Sequence, residues 1–291
     1  MISPIAIAGV ALGALWSVAL GCLATPADAA APPRVLSLDQ CADQYVLALS
    51  PRAAVVGLSP RVRNTDSWLG SRAAGLPILR ADAESALAAR PGVVVRYWGG
   101  DPKLLAVLMR RGARIITLED ATDFAGIRRN VRSVAAALGA SAEGEGLIAG
   151  MDRQLAQSAG AWGGRPALYL TSGGATAGPG SLIDEMLRAA GLRNLTRAPG
   201  FHELSLERLT LEPPAAVVEG FFDPGSQARV HWGPGRHGAL NRLTQGRTLV
   251  RVPGALLGCP AWFVGDAVSL IARAAPRPRC EHPDAGRGAC A

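Results

Sequence analysis

Lysine is almost missing from this chain. Lys103 is the only one, so the formal charge of +7 across 291 residues is carried by arginine. Those arginines are scattered, and no basic run interleaved with aromatics occurs, which argues against a nucleic-acid partner. Histidine is confined to His202, His231, His237 and His282, all in the second half. A bare metal ion held between two halves would therefore lack imidazoles from the first, which leaves direct metal capture a weak alternative. Catalytic signatures are missing as well: there is no GxSxG elbow and no Gly-Lys-Ser/Thr phosphate loop, and the glycine-rich stretch over 172–180 carries no GxGxxG fingerprint. A secreted, hydrolase-like α/β enzyme is a second weak alternative. Aromatics make up only 5% of residues, yet the set is weighted to tryptophan, with six against three tyrosines and five phenylalanines. Exposed indoles are costly unless something covers them, so some should meet a ligand or a partner surface.

What is present begins with an apolar run over residues 5–23, followed by Ala27-Asp28-Ala29. This predicts an export signal over residues 1–29, cleaved before Ala30. Cys22 follows Ala19-Leu20-Gly21, a poor lipoprotein signal, and acylation there is the lesser alternative. Removing the leader leaves Cys41, Cys259, Cys280 and Cys290, an even number in an oxidising compartment. One or two disulfides are expected among these four candidates, and spacing alone leaves all three connectivities open.

One frame occurs twice: a Glu, six residues, a Pro, two residues and a pair of valines. It runs from Glu84 through Pro91 to Val94 and Val95, and again from Glu207 through Pro214 to Val217 and Val218. Each copy reads as a short helix stopped before a proline and followed by a buried β-branched strand. The spacing is too wide for a solenoid, so the pattern predicts two similar α/β lobes with parallel sheets and a cleft between them.

The rest of the chain keeps that rhythm. Strands are expected at 34–38, 54–58, 93–96, 114–118 and 167–171, and helices at 41–49, from about Asp82, at 104–111 and at 181–190. Residues 124–159 carry no strand signal and read as two helices broken near Gly139, the second capped by Ser141. A helix of about eighteen residues spans roughly 27 Å, long enough to join two lobes. The expected organisation is a first lobe over 30–140, an interlobe helix over 141–160, a second lobe over 161–275 and an irregular tail over 276–291. A glycine-rich stretch over 172–180 precedes the 181–190 helix. Without a nucleotide fingerprint, it reads as a loop that brings backbone close to a ligand or to the other lobe.

Several segments taken in order carry a family resemblance. They are Arg34-Val35-Leu36-Ser37-Leu38 with Val55-Val56-Gly57-Leu58, the Glu84 to Val95 unit, Gly178-Pro179-Gly180-Ser181-Leu182 with Leu187 and Ala190-Gly191, and Leu204-Ser205-Leu206-Glu207. Together they resemble the periplasmic solute-binding proteins of iron-siderophore and cobalamin ABC importers. The resemblance implies two Rossmann-like lobes joined by one rigid interlobe helix, a shallow cleft and little closure on binding. It also implies a periplasmic monomer with no cofactor or catalysis of its own, which captures a metal chelate (ferric siderophore, corrinoid or haem) and delivers it to an inner-membrane permease. Glu84 and Glu207 match the family's permease-docking glutamates. The sequence departs from the pattern at Pro91-Gly92 and Pro214-Ala215, where Pro-Asp is usual, and at Asp39-Gln40-Cys41.

Ligands of parallel α/β lobes meet the carboxyl ends of strands. Those ends, with the aromatic positions that the resemblance supplies, give Gln40, Cys41, Arg61, Tyr97, Trp98, Thr176, Phe201, Phe222 and Trp262 as ligand-contacting candidates.

Overall fold

In the computed structural model, residues 31–80, 82–204, 212–221, 238 and 245–276 are described. The leader with Cys22, the stretch with Glu207 that was expected to be helical, Phe222, and the tail with Cys280 and Cys290 lie outside these residues.

Aspartate starts most of the helices in the first half. Asp39 caps α1 (Gln40–Leu49), Asp82 caps α2 (Ala83–Ala88), Asp101 caps α3 (Pro102–Arg110) and Asp123 caps α4 (Phe124–Leu138). Each side chain accepts hydrogen bonds from amides of the first turn that have no partner within the helix. Between these helices run β1 (Val35–Ser37), β2 (Val55–Gly57), β3 (Val93–Arg96) and β4 (Arg114–Thr117), which pair in parallel in the order β2-β1-β3-β4. Val93, Val94 and Val95 are all buried because helices cover both faces of the sheet, which explains the unbroken β-branched run. Period-two alternation divides the strands between two layers. Val35, Val93 and Val95 face the main core, whereas Leu36 and Val94 join Ala86, Leu104 and Leu108 beneath α2 and α3.

Gly139, in the left-handed region at φ 71°, ends α4, and α5 (Ser141–Ser158) begins two residues later. The expected Ser141 cap is not formed: Ala140 occupies the cap position without a side-chain hydrogen bond, and Ser141 is the first helical residue. Beyond α5 lies a second parallel sheet of β5 (Pro166–Thr171), β7 (Arg193–Asn194), β9 (Ala216–Gly220) and β10 (Thr248–Val252), in the order β10-β9-β5-β7. Ser181 caps α6 (Leu182–Ala189), and α7 (Val264–Arg273) closes the described part of the lobe against α5. The architecture is thus two α/β lobes with parallel sheets, each built from the strand pattern that the valine pairs announce. One buried cluster runs continuously from Val35 and Tyr45 through Val131, Ile148 and Met151 to Ala216 and Ile271, so both lobes share a core along α4, α5 and α7.

The glycine-rich stretch differs from expectation. Part of it forms β6 (Ala175–Ala177), paired antiparallel with β8 (Phe201–Glu203). A Cβ on Gly178 would lie 1.9 Å from the Ala198 carbonyl oxygen, so this glycine brings the backbone against its own lobe rather than against a ligand or the other lobe. Strand β10 and helix α7 had no prediction from periodicity.

Helix α5 contains three glycines with opposite roles. A Cβ on Gly144 would lie 2.6 Å from that of Ala135, which is what lets α4 and α5 approach closely, whereas Gly146 faces open space. Gly144→Ala is therefore expected to lower unfolding free energy by about 1–3 kcal/mol through overpacking. Gly146→Ala is expected to raise it by up to about 1 kcal/mol through helix propensity. Denaturant titration of the two variants checks both signs.

Candidate functional site

The carboxyl end of β1 leads into Asp39, which is fully buried. Its Oδ1 accepts from the backbone N–H groups of Cys41 at 3.1 Å and Ala42 at 3.0 Å, capping α1. Its Oδ2 accepts from Tyr97 at 2.6 Å, Trp98 at 3.1 Å and Gly99 at 2.9 Å, the loop that follows β3. One carboxylate thus holds two strand ends in register. Gly99 has to be glycine, because a Cβ there would lie 2.3 Å from the Leu38 carbonyl oxygen, and Gly100 sits at φ 79°. Arg96 Nε donates to the Gly99 carbonyl at 2.6 Å, which ties the loop back to its strand.

This anchored loop presents Trp98 to solvent, 49% exposed. The Arg61 guanidinium carbon lies 4.8 Å from its ring centroid, a cation–π contact. Tyr97 is half-buried and donates its hydroxyl to the Asp120 carboxylate. Burial, then that hydrogen bond and the charges of Asp120 and Asp39, hold its phenol above the usual range. Arg61, Tyr97 and Trp98 are therefore brought together at the carboxyl ends of β2 and β3, and the pairing of an aromatic plane with a cation suits a flat, anionic surface.

The structure gives other roles to several residues expected at the ligand. Cys41 is buried and joined to Cys259 in a disulfide, so its sulfur is not available to a ligand. Gln40, also buried, donates from Nε2 to the Asp66 carbonyl at 3.0 Å and accepts from Asn64 Nδ2 at 3.3 Å, which positions the loop beyond the Arg61 turn. The Thr176 hydroxyl is buried and shares a 2.8 Å hydrogen bond with that of Thr196. Trp262 stacks edge-on against Tyr45 and Phe263, with centroids 5.4 and 5.5 Å away, at the junction of the lobes. Phe201 stands 64% exposed on the β6–β8 ribbon. Glu84 is exposed in the first turn of α2, beside a groove of about 410 Å³ that is also lined by Val56, Leu79, Ser85, Ala88 and Ala89. Asp39 stands at a strand end that topology places along the cleft, and the structure makes it the anchor of the Trp98 loop; its local signal is its place as a helix cap.

The comparisons with known proteins address the fold. The chain is similar to a periplasmic heme-binding protein from Pseudomonas aeruginosa, at 24% identity and TM-score 0.63, covering 84% of this chain and 93% of that one. It is similar to the periplasmic heme-binding protein RhuT from Roseiflexus sp. RS-1, at 22% identity and TM-score 0.65, covering 84% and 98%. The periplasmic vitamin B12 binding protein BtuF of Vibrio cholerae aligns at 16% identity and TM-score 0.59, covering 84% and 96%. The fold is the one these periplasmic binding proteins share. No protein-family model and no curated protein matches the sequence.

Beneath the site lies a second buried carboxylate. Asp43 Oδ1 accepts from the Ser37 hydroxyl and from the Ser59 backbone N–H at 2.9 Å, and Oδ2 accepts from the Ser59 hydroxyl at 2.5 Å. It ties α1 to the end of β1 and to the turn that carries Arg61. Burial pushes its carboxyl from 3.8 up to about 7, against the lowering effect of the Ser37 and Ser59 donors and with a smaller rise from Asp39. The folded protein thus keeps a proton that the unfolded chain releases. That contribution to stability is complete below about pH 4 and is lost as the pH rises through about 7. Melting temperature is expected to fall between those limits, and to fall less in Asp43→Asn. Thermal scans of both proteins across that range check it, and equal slopes would contradict the assignment.

Proposed function

We propose that this protein is the periplasmic substrate-binding component of an ABC importer, capturing a metal chelate and handing it to an inner-membrane permease without chemistry of its own. The observation that carries the reading is the exposed Trp98 indole, on a loop whose backbone N–H groups are held by Asp39 at the carboxyl ends of a parallel sheet, in a fold shared with periplasmic binding proteins. An indole kept half-exposed on an anchored loop gains by covering a ligand face. The neighbouring Arg61 favours a flat chelate bearing anionic groups, and the candidates are a haem, a corrinoid or a ferric siderophore. Export through a cleaved leader over residues 1–29 and a monomeric state belong to the same proposal.

The ligand class is tested by titrating the purified protein with hemin, cyanocobalamin and a ferric hydroxamate, alongside mass and absorbance measurements on material that co-purifies. A buried aromatic anchor typically contributes about 2 kcal/mol or more, so Trp98→Ala is expected to weaken binding of the recognised chelate roughly thirtyfold. Unchanged affinity together with a lowered melting temperature would remove Trp98 from the site.

Glu84 and Glu207 are proposed to dock on permease cations, one from each lobe. Two separated carboxylates give two-point electrostatic registration of the cleft over the pore. Changing both to Ala is expected to weaken permease binding and transport while leaving chelate affinity within about twofold, under about 0.5 kcal/mol. Loss of chelate binding in the double variant would contradict the docking role.

A further inference from the structure

The segment 253–263 connects β10 to α7 but leaves its own sheet to pack against the first lobe. Cys259 is bonded to Cys41 in the first turn of α1, across 218 residues of sequence. One turn further along α1, Tyr45 donates its hydroxyl to the Pro260 carbonyl at 2.6 Å. The Tyr45 ring meets Trp262 edge-on, and Phe263 lies 5.8 Å from Trp68. The other covalent route between the lobes is through α4 and α5. Helix α5 packs along α7, where Gln154 Nε2 donates to Asp266 Oδ1 at 2.5 Å.

These two connections meet the lobes at different places. The helical one enters the second sheet at the start of β5, whereas the disulfide joins the segments that follow the carboxyl ends of β1 and β10. The core shared along α4, α5 and α7 restrains the lobes on one side. A covalent link displaced from it restrains the remaining tilt about that side. Cys41 and Cys259 are 3% and 4% exposed. Buried sulfur of this kind is reached by a thiol reductant only after local opening, so the cross-link behaves as a permanent tie and not as a switch.

We propose that the Cys41–Cys259 disulfide is a covalent lock on the angle between the lobes, and that it sets where the Trp98 wall stands relative to the second lobe. The mechanical path is short. The Cys41 backbone N–H is held by Asp39 Oδ1, and the other oxygen of that carboxylate holds the amides of Tyr97, Trp98 and Gly99. The lock acts on the same cleft as the proposed chelate site, but its readout needs no ligand, so the two ideas fail separately.

The test places nitroxides on genetically encoded ketone side chains at positions 103 and 197, one on each lobe, which leaves every cysteine unlabelled. The interlobe distance distribution is then measured by electron–electron double resonance in three proteins that share these labels. The parent is expected to give a narrow distribution, and the pair variant Cys41→Ser/Cys259→Ser one at least twice as wide with unchanged circular dichroism. Tyr45→Phe, which removes the Pro260 hydrogen bond but keeps the disulfide, is expected to match the parent. An unchanged width in the pair variant overturns the proposal. So does widening in Tyr45→Phe, which would make the non-covalent contacts the lock, and so does a pair variant that fails to fold, which would assign the disulfide to the fold itself.

Discussion

A carboxylate removed from water is costly unless hydrogen bonds replace its hydration, and Asp39 is supplied with five backbone donors, from Cys41, Ala42, Tyr97, Trp98 and Gly99. Two belong to the first turn of α1, where the helix dipole also favours negative charge, and three belong to the loop after β3. No neutral side chain of similar size accepts at both oxygens in this way. The arrangement fixes the backbone of the Trp98 loop to the same carboxylate that starts α1, and α1 is the element joined to the second lobe. The Trp98 loop and the lobe junction are therefore one mechanical unit.

The parts of the fold that sequence revealed are those in which burial dictates composition. Val93–Arg96, Arg114–Thr117 and Pro166–Thr171 lie in parallel sheets covered by helices, and such strands must be rich in β-branched and aliphatic residues. The helix pair over 124–158 was legible because a glycine interrupts two amphipathic stretches that contain no competing strand signal. Some short elements were not legible. Arg193–Asn194 and Ala175–Ala177 have two and three residues, too few for any period, and they exist because a neighbouring edge offers hydrogen bonds. The cap expected at Ser141 failed because the chain leaving the Gly139 turn begins the helix one residue too early for that side chain to cap it.

The site divides along the same line. The position of Trp98 at a sheet's end was legible because a large aromatic followed by two glycines comes directly after a buried strand. The loop partners of Asp39 lie 58 to 60 residues away, and no local pattern reveals them. Cys41 illustrates the converse. Position alone put it at a strand end facing the cleft, whereas the structure uses it to reach Cys259, a choice that depends on how two distant lobes meet. Gln40 and Trp262 went the same way, toward loop support and lobe contact.

The weighting toward tryptophan in an aromatic-poor sequence follows from these two demands. Trp162 is buried and donates its indole N–H to the Ile271 carbonyl at 2.8 Å, and Trp262 and Trp68 pack with Phe263 where the lobes join. Trp98 alone among these four stands nearly half-exposed at the ends of β2 and β3 without a place in the core. Large rigid rings at the junction lose little side-chain entropy on folding for the area they cover, so they suit a contact meant to hold an angle. In the proposed binding role, a surface set by such a junction would meet its ligand already ordered. The cost of arranging its walls has been met in folding, and affinity then depends on how well the pre-set plane of Trp98 and charge of Arg61 match the ligand, rather than on free energy released by lobe closure.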